Sequence, residues 1–254
     1  VVDRFYNGDD VILESEDGKF YPNQFVMLVS NSNEKKTALC RFVAYGSPLK
    51  PVQGHKSGVW GVTPRNKEQT FSLELLLDPS VQVVSLIGKA GSGKTLLAVA
   101  AGLHQVMEEG QQSIYRRLVI SRPVQPMGRD IGFLPGTLEE KMAPWLAPIQ
   151  DNLQFLMGND KLTLDMYMES GTIELEALTY IRGRSIANAY IIIDEAQNLS
   201  SHEMKTILTR VGEGTKIILT GDVEQIDNVY VDETSNGLVH AVENFKSYDL
   251  AGHI

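Results

Sequence analysis

The sequence predicts an α/β domain on a parallel, doubly wound sheet, preceded by a small all-β, barrel-like module. Three observations carry this reading. Val81–Ile87, Leu118–Ser121, Ala189–Asp194 and Lys216–Thr220 are continuous apolar runs, the mark of strands buried on both faces. Helical patterns lie among them at Lys94–Glu108, Leu138–Leu156, His202–Arg210 and Gly237–Phe245; strands alternating with helices imply a parallel sheet. The first sixty residues have a different texture, short in period and rich in turns.

In that opening stretch, Val11–Glu14, Gln24–Ser30 and Thr37–Ala44 are β-branched or alternating runs. Asp17-Gly18, Asn31-Ser32-Asn33 and Gly46-Ser47-Pro48 separate them with turn chemistry. Sixty residues make a marginal core alone, so the unit is expected to pack on its neighbour. From Asn66 the period changes. Asn66 can cap a helix with Phe71, Leu75 and Leu76 on its inner face. The expected division is 1–60 for the accessory module and 61–254 for the α/β domain. No internal repeat or low-complexity segment interrupts it.

Charge follows the same division. Residues 1–60 carry seven basic and seven acidic side chains, whereas residues 61–254 account for the whole formal charge of -9. An acidic chain gives no bulk-charge argument for nucleic acid; such a site would need a local basic patch. One cysteine, Cys40, excludes an internal disulfide and a Cys-rich zinc site. The five histidines stand singly, without metal-ligand spacing, and read as structural. No signal peptide or membrane-length apolar run is evident, so a cytoplasmic location is expected. The chain opens at Val1 without a methionine, which reads as a piece of a longer protein.

The sharpest motif is Gly88-Lys89-Ala90-Gly91-Ser92-Gly93-Lys94-Thr95, matching G-x-x-x-x-G-K-[ST] between a buried-strand run and the helix that opens at Lys94; these residues and the following Leu96 are the expected nucleotide contacts. Small residues let backbone N–H groups turn inward around phosphate oxygens. The helix adds its positive N-terminal end. Lys94 reaches the β- and γ-phosphates, and the Thr95 hydroxyl ligates Mg²⁺.

Two other strands end in chemistry. Tyr190–Asp194 is an apolar run closing on Asp194-Glu195. Asp194 would hold Mg²⁺, directly or through a water, and Glu195 would activate the attacking water. Lys216–Thr220 is followed by Gly221-Asp222 and then Gln225. Asp222 and Gln225 are placed to report the γ-phosphate, and Gln225 to orient the water. About twenty residues before the phosphate loop, Asn66 and Gln69 are candidates for the base, since a side-chain amide both donates to and accepts from an adenine edge.

Together these residues resemble the PhoH family of P-loop ATPases, in particular the ATPase half of bacterial proteins that fuse a PIN nuclease domain to a PhoH domain. The carriers are Pro64–Gln69, Gly88–Thr95, Ser121–Pro123, Gly132-Phe133-Leu134-Pro135-Gly136, Arg182-Gly183-Arg184, Asp194–Asn198 and Gly221–Gln225. The Gly-Phe-Leu-Pro-Gly and Arg-Gly-Arg pieces are the most specific. The resemblance implies a RecA-like core, ATP hydrolysis, homo-oligomeric rings with six copies favoured, and unwinding of RNA. It implies Lys94 and Thr95 for phosphate and Mg²⁺, Asp194 and Glu195 for metal and water, and Gln225 for γ-phosphate sensing. Residues 1–60 resemble the small barrel joining the nuclease and ATPase halves. Two departures stand out: this chain has no PIN nuclease domain, and it stops at Ile254, where the family pattern continues into another basic segment.

Arg122, Arg129, Arg182 and Arg184 are the candidates for single-stranded RNA or for an arginine finger across a subunit boundary; for the finger, Arg129, Arg182 and Arg184 stay unranked. Trp60, Trp145, Phe133 and Phe155 are assigned to packing rather than base stacking. The expected activity is Mg²⁺-dependent water attack on ATP, coupled to movement on RNA. The alternatives are a slow nucleotide-dependent switch binding a protein partner and a small-molecule kinase; the Asp194-Glu195 pair argues against the kinase.

Overall fold

The structure is a computed structural model that describes residues 1–14, 18–107, 113–123, 138–178, 181 and 185–254. A short helix, α1 (Val2–Tyr6), precedes a three-stranded antiparallel sheet of β1 (Phe25–Val29), β2 (Thr37–Arg41) and β3 (Lys50–Pro51). Two of the three expected runs form strands. Val11–Glu14 does not: it contributes only the bridge Ile12–Pro48.

The larger unit holds six parallel strands in the order β6-β5-β7-β8-β4-β9. They are β4 (Val83–Ile87), β5 (Arg117–Arg122), β6 (Ile173–Ala177), β7 (Ala189–Ile193), β8 (Lys216–Gly221) and β9 (Ala251–His253). The helices are α2 (Lys67–Leu77), α3 (Lys94–Met107), α4 (Leu138–Leu156), α5 (Lys161–Glu169), α6 (Ser201–Leu208) and α7 (Gly237–Phe245). Successive strand residues serve opposite faces. Val84, Leu86, Tyr190 and Ile192 pack with Leu75, Leu97, Leu103 and Ile149 of α2, α3 and α4. Val83, Ile191 and Ile193 pack with Met204, Ile207 and Leu238 of α6 and α7. The sheet is therefore covered on both faces, which is why β4, β7 and β8 read as unbroken apolar runs.

The sequence pattern missed α1 and β3 in the opening stretch and α5, β6 and β9 in the larger unit. Strand β6 is an edge strand, Ile173-Glu-Leu-Glu-Ala, that alternates instead of running apolar. Strand β9 is three residues on the other edge.

Two buried polar groups tie the layers together. Lys216 opens β8 fully buried, and its Nζ donates to Leu75 O at 2.6 Å and Asp78 O at 2.7 Å. These are carbonyls at the end of α2 that lack partners within the helix. Asn23, at φ +63°, donates through Nδ2 to Asp249 O and Ala251 O at 2.7 and 2.8 Å, docking the small sheet on β9. Among the described residues, no helix is long and apolar enough to cross a membrane.

The strand order decides where the chemistry meets. Strand β8 lies between β4 and β7, with Ile87 opposite Gly221 and Ile193 opposite Leu219. Gly88, Asp222 and Asp194 therefore leave the sheet side by side at its carboxyl end, where open α/β sheets bind ligands.

Candidate functional site

The loop Gly88–Gly93 joins β4 to α3. Gly91 and Gly93 take φ of +79° and +88°, conformations that a side chain would strain. Lys94 folds back over the loop: its Nζ donates to Gly88 O at 2.6 Å, Lys89 O at 2.8 Å and Ser92 Oγ at 3.2 Å. Partial burial lowers the Lys94 pKa, against the opposing pull of Asp222, Glu195 and Asp194. Three carboxylates thus face one ammonium at the loop.

Asp194 is buried at the tip of β7. Its Oδ1 accepts from Thr95 Oγ1 at 2.8 Å and Thr220 Oγ1 at 2.6 Å. The Thr95 hydroxyl and the Asp194 carboxylate form the hard oxygen pair that Mg²⁺ prefers. Among the described residues no group of three or more Asp, Glu, His or Cys could hold a metal. The residues fit an ion that keeps waters and takes phosphate oxygens, as Mg²⁺ does at nucleotides.

Glu195 adopts φ 54°, ψ 40°. A left-handed conformation costs a non-glycine residue about 1–2 kcal/mol, and here it turns the chain sharply after the strand. One carboxylate oxygen, Oε1, takes Arg122 Nη2 at 3.2 Å. The other, Oε2, takes Gln197 Nε2 at 2.6 Å. The same Gln197 Nε2 donates to Gln225 O at 2.9 Å, while its Oε1 accepts the Asp222 N–H at 3.2 Å. Asn198 holds the next stretch, accepting the N–H groups of Asp227 and Asn228. Asp222 reaches the phosphate loop, its Oδ2 accepting the Ala90 N–H at 2.8 Å.

Lys94, Thr95, Asp194, Glu195, Asp222 and Gln225 line one cavity of about 340 Å³. Asn152 enters it from α4. Asn66 caps α2 by accepting the Gln69 N–H at 2.8 Å. Gln69 accepts the Arg65 N–H at 2.7 Å and donates to Ser92 O at 3.0 Å. The NH₂ half of its amide braces the phosphate loop and the oxygen holds Arg65, and an adenine edge would have to displace them. Lys89 pairs with Glu224 at 3.6 Å in the open.

The arginine candidates separate. Arg122 pairs with Glu195 within the same chain at 3.2 Å. Arg129, Arg182 and Arg184 lie outside the described residues, as do Phe133 and the Gly132–Gly136 piece. Trp60 donates its Nε1–H to Leu156 O at 3.1 Å. Phe155 departs from the packing expectation and stands 65% exposed. The sequence reading gave no role to Thr220, Gln197 or Asn152. Thr220 adjoins the flagged Gly221, and Gln197 stands two residues past Glu195, so position relative to the strand ends was the available signal. Nothing in the sequence points α4 at the loop.

The family description "PhoH-like protein" matches residues 61–254. The chain belongs to the PhoH family. The match begins where the charge and composition shift, and it takes in every strand end that builds the cavity. Protein PhoH2 of Bacillus subtilis (strain 168) is 51% identical over 237 residues, covering 92% of this chain and 53% of that protein. Protein PhoH2 of Mycolicibacterium smegmatis is 42% identical over 204 residues, covering 80% and 45%. A second B. subtilis relative, "PhoH-like protein", is 43% identical over 163 residues, covering 64% and 49%. The chain spans about half the length of the curated PhoH relatives it matches. The UvsW helicase of bacteriophage T4 aligns with 76% of this chain and 60% of its own at TM-score 0.46 and 11% identity, too distant to bear on function. The PhoH match and the phosphate-loop geometry make the chain a P-loop NTPase by family and fold.

Proposed function

We propose that this chain binds ATP with Mg²⁺, hydrolyses it, and uses the cycle to move along or unwind single-stranded RNA. The observation that carries the hydrolytic half is the meeting of three strand ends at one cavity. β4 brings the phosphate loop, β7 brings Asp194 and Glu195, and β8 brings Asp222 and Gln225. Backbone N–H groups and Lys94 would hold the β- and γ-phosphates. Thr95 and Asp194 would hold Mg²⁺, which would offset the charge of the phosphates. Water attacks the γ-phosphorus as the bond to the β–γ bridging oxygen breaks. Glu195 takes the proton of that water, and ADP and phosphate leave. Gln225 orients the water. Arg122, seated on Glu195, belongs to this machinery.

The RNA half is supported by family resemblance, as are a ring of six copies and fusion to a PIN nuclease domain. On this reading residues 1–60 are an accessory module and residues 61–254 the ATPase domain.

The test is ATP turnover with and without single-stranded RNA, with Glu195→Gln as the blank. Mg²⁺-dependent turnover that RNA stimulates and the blank lacks is the expected result. Turnover indifferent to RNA supports the nucleotide-dependent switch instead. No turnover, even in assembled rings, overturns the hydrolytic half.

A further inference from the structure

We infer that Gln197 is a positioning residue that couples the Glu195 carboxylate to the turn carrying Asp222 and Gln225. The inference rests on the hydrolytic reading above and names a part that reading lacks. Gln197 is fully buried and has no access to a nucleotide. One donor hydrogen of its Nε2 meets Glu195 Oε2 and the other meets Gln225 O. Its Oε1 takes the Asp222 N–H. Every polar atom of the side chain is thus spent on the two halves of the site.

The orientation has no alternative. Turning the amide over would set its oxygen against the Glu195 carboxylate and its NH₂ against the Asp222 N–H, which repels at both ends. The turn itself is closed by the Gln225 N–H to Asp222 O at 3.0 Å. Gln197 bonds to both ends of that closed turn, so a displacement of the turn reaches Glu195 through one rigid amide. Gly221 makes room for this. A Cβ there would sit 2.5 Å from Gln197 Oε1. The far side of the turn reaches the phosphate loop through Asp222 and Ala90. Asp222 lines the same cavity as Lys94 and the phosphate loop, and Gln197 is the hydrogen-bonded route from its turn to Glu195.

Two variants remove the coupling differently. Gln197→Met keeps the length and drops every hydrogen bond. Gln197→Glu keeps an acceptor for the Asp222 N–H, loses both donors and faces Glu195 with a like charge. Each is expected to lower kcat by about ten- to hundredfold, with the dissociation constant for a fluorescent ATP analogue changed less than about threefold. An Asp222→Ala substitution, which unties the turn from the phosphate loop, should then cost much less in the Gln197→Met background than alone, because the route from the turn is already cut. A purely structural role would make the two losses multiply, and that result overturns the inference, as does normal kcat in a folded Gln197→Met chain.

A second readout stands apart from turnover. Hydrogen exchange over residues 194–199 should slow when a non-hydrolysable triphosphate binds the wild-type chain, and not in the Gln197 variants. Equal slowing in variants and wild type also overturns it. Absent wild-type turnover would count against the hydrolytic reading alone, since the exchange experiment still decides the coupling.

Discussion

The Asp222 carboxylate accepts the Ala90 N–H at 2.8 Å, so the phosphate loop holds an anion of the protein's own. An incoming triphosphate meets that charge as well as Lys94. Asp222→Asn keeps an acceptor for Ala90 and removes the charge. It should tighten ATP by about three- to tenfold, on the order of 1 kcal/mol at the dielectric of a half-buried site. Calorimetric titration in a Glu195→Gln background, where turnover does not intrude, measures this directly. Weaker binding would mean that the Asp222 charge helps the loop more than it hinders the ligand.

Lys94 and Glu195 should separate binding from chemistry. Glu195→Gln is expected to reduce kcat by on the order of 10²–10⁴ while nucleotide affinity survives. Lys94→Ala should lose the affinity itself, by about a hundredfold or more, because the loop then keeps its acidic neighbours without their counter-charge. Paired titrations and steady-state assays decide it; equal losses in both constants for Glu195→Gln would count against its role as base.

Gly221 is a steric prediction. Its φ is ordinary, but a Cβ would lie 2.5 Å from Gln197 Oε1 and 2.6 Å from Leu238 Cδ2. Gly221→Ala should cost about 1–3 kcal/mol of stability, read by chemical denaturation. Turnover should fall further than that loss explains, because the displaced oxygen belongs to Gln197.

Lys216 sets a pH dependence. Burial lowers its pKa from 10.5 to about 7, helped by Arg41 and opposed by Asp78. Between those two values the unfolded chain binds the proton and the folded chain does not. Lys216 therefore contributes stability that grows as pH rises above 7, by at most about 1.4 kcal/mol per pH unit. Relative to Lys216→Met, the wild-type chain should gain stability from pH 7 to 9. Parallel curves for the two would show that the ammonium stays charged in the fold.

How much of this was legible in the sequence follows from how local each feature is. The phosphate loop is eight consecutive residues whose shape depends on its own glycines and on a helix beginning at Lys94, so the pattern names it. Strands β4, β7 and β8 are buried on both faces, and that alone writes unbroken apolar runs. The two edge strands leave weaker traces: β6 alternates because one face is only partly covered, and β9 is too short to show a period. The Asn66 cap was equally readable, since the side chain satisfies a backbone group three residues on.

What the tertiary structure decided are the relations across the sheet. Nothing in the chain order places β8 between β4 and β7, yet that placement brings Asp222 to Ala90, 132 residues apart in sequence. Gln197 stands in a motif the sequence shows but has no role legible there, and becomes a strut only when Glu195, Asp222 and Gln225 surround it. Gln69 was readable as a base contact, and only the fold shows its amide joining Arg65 to Ser92. Arg122, named as a candidate for RNA, pairs with Glu195 in the fold. A local pattern fixes which backbone groups and side chains exist at a strand end. Which of them meet depends on the order in which the strands pack, and that order is settled by burying both faces of the sheet at once.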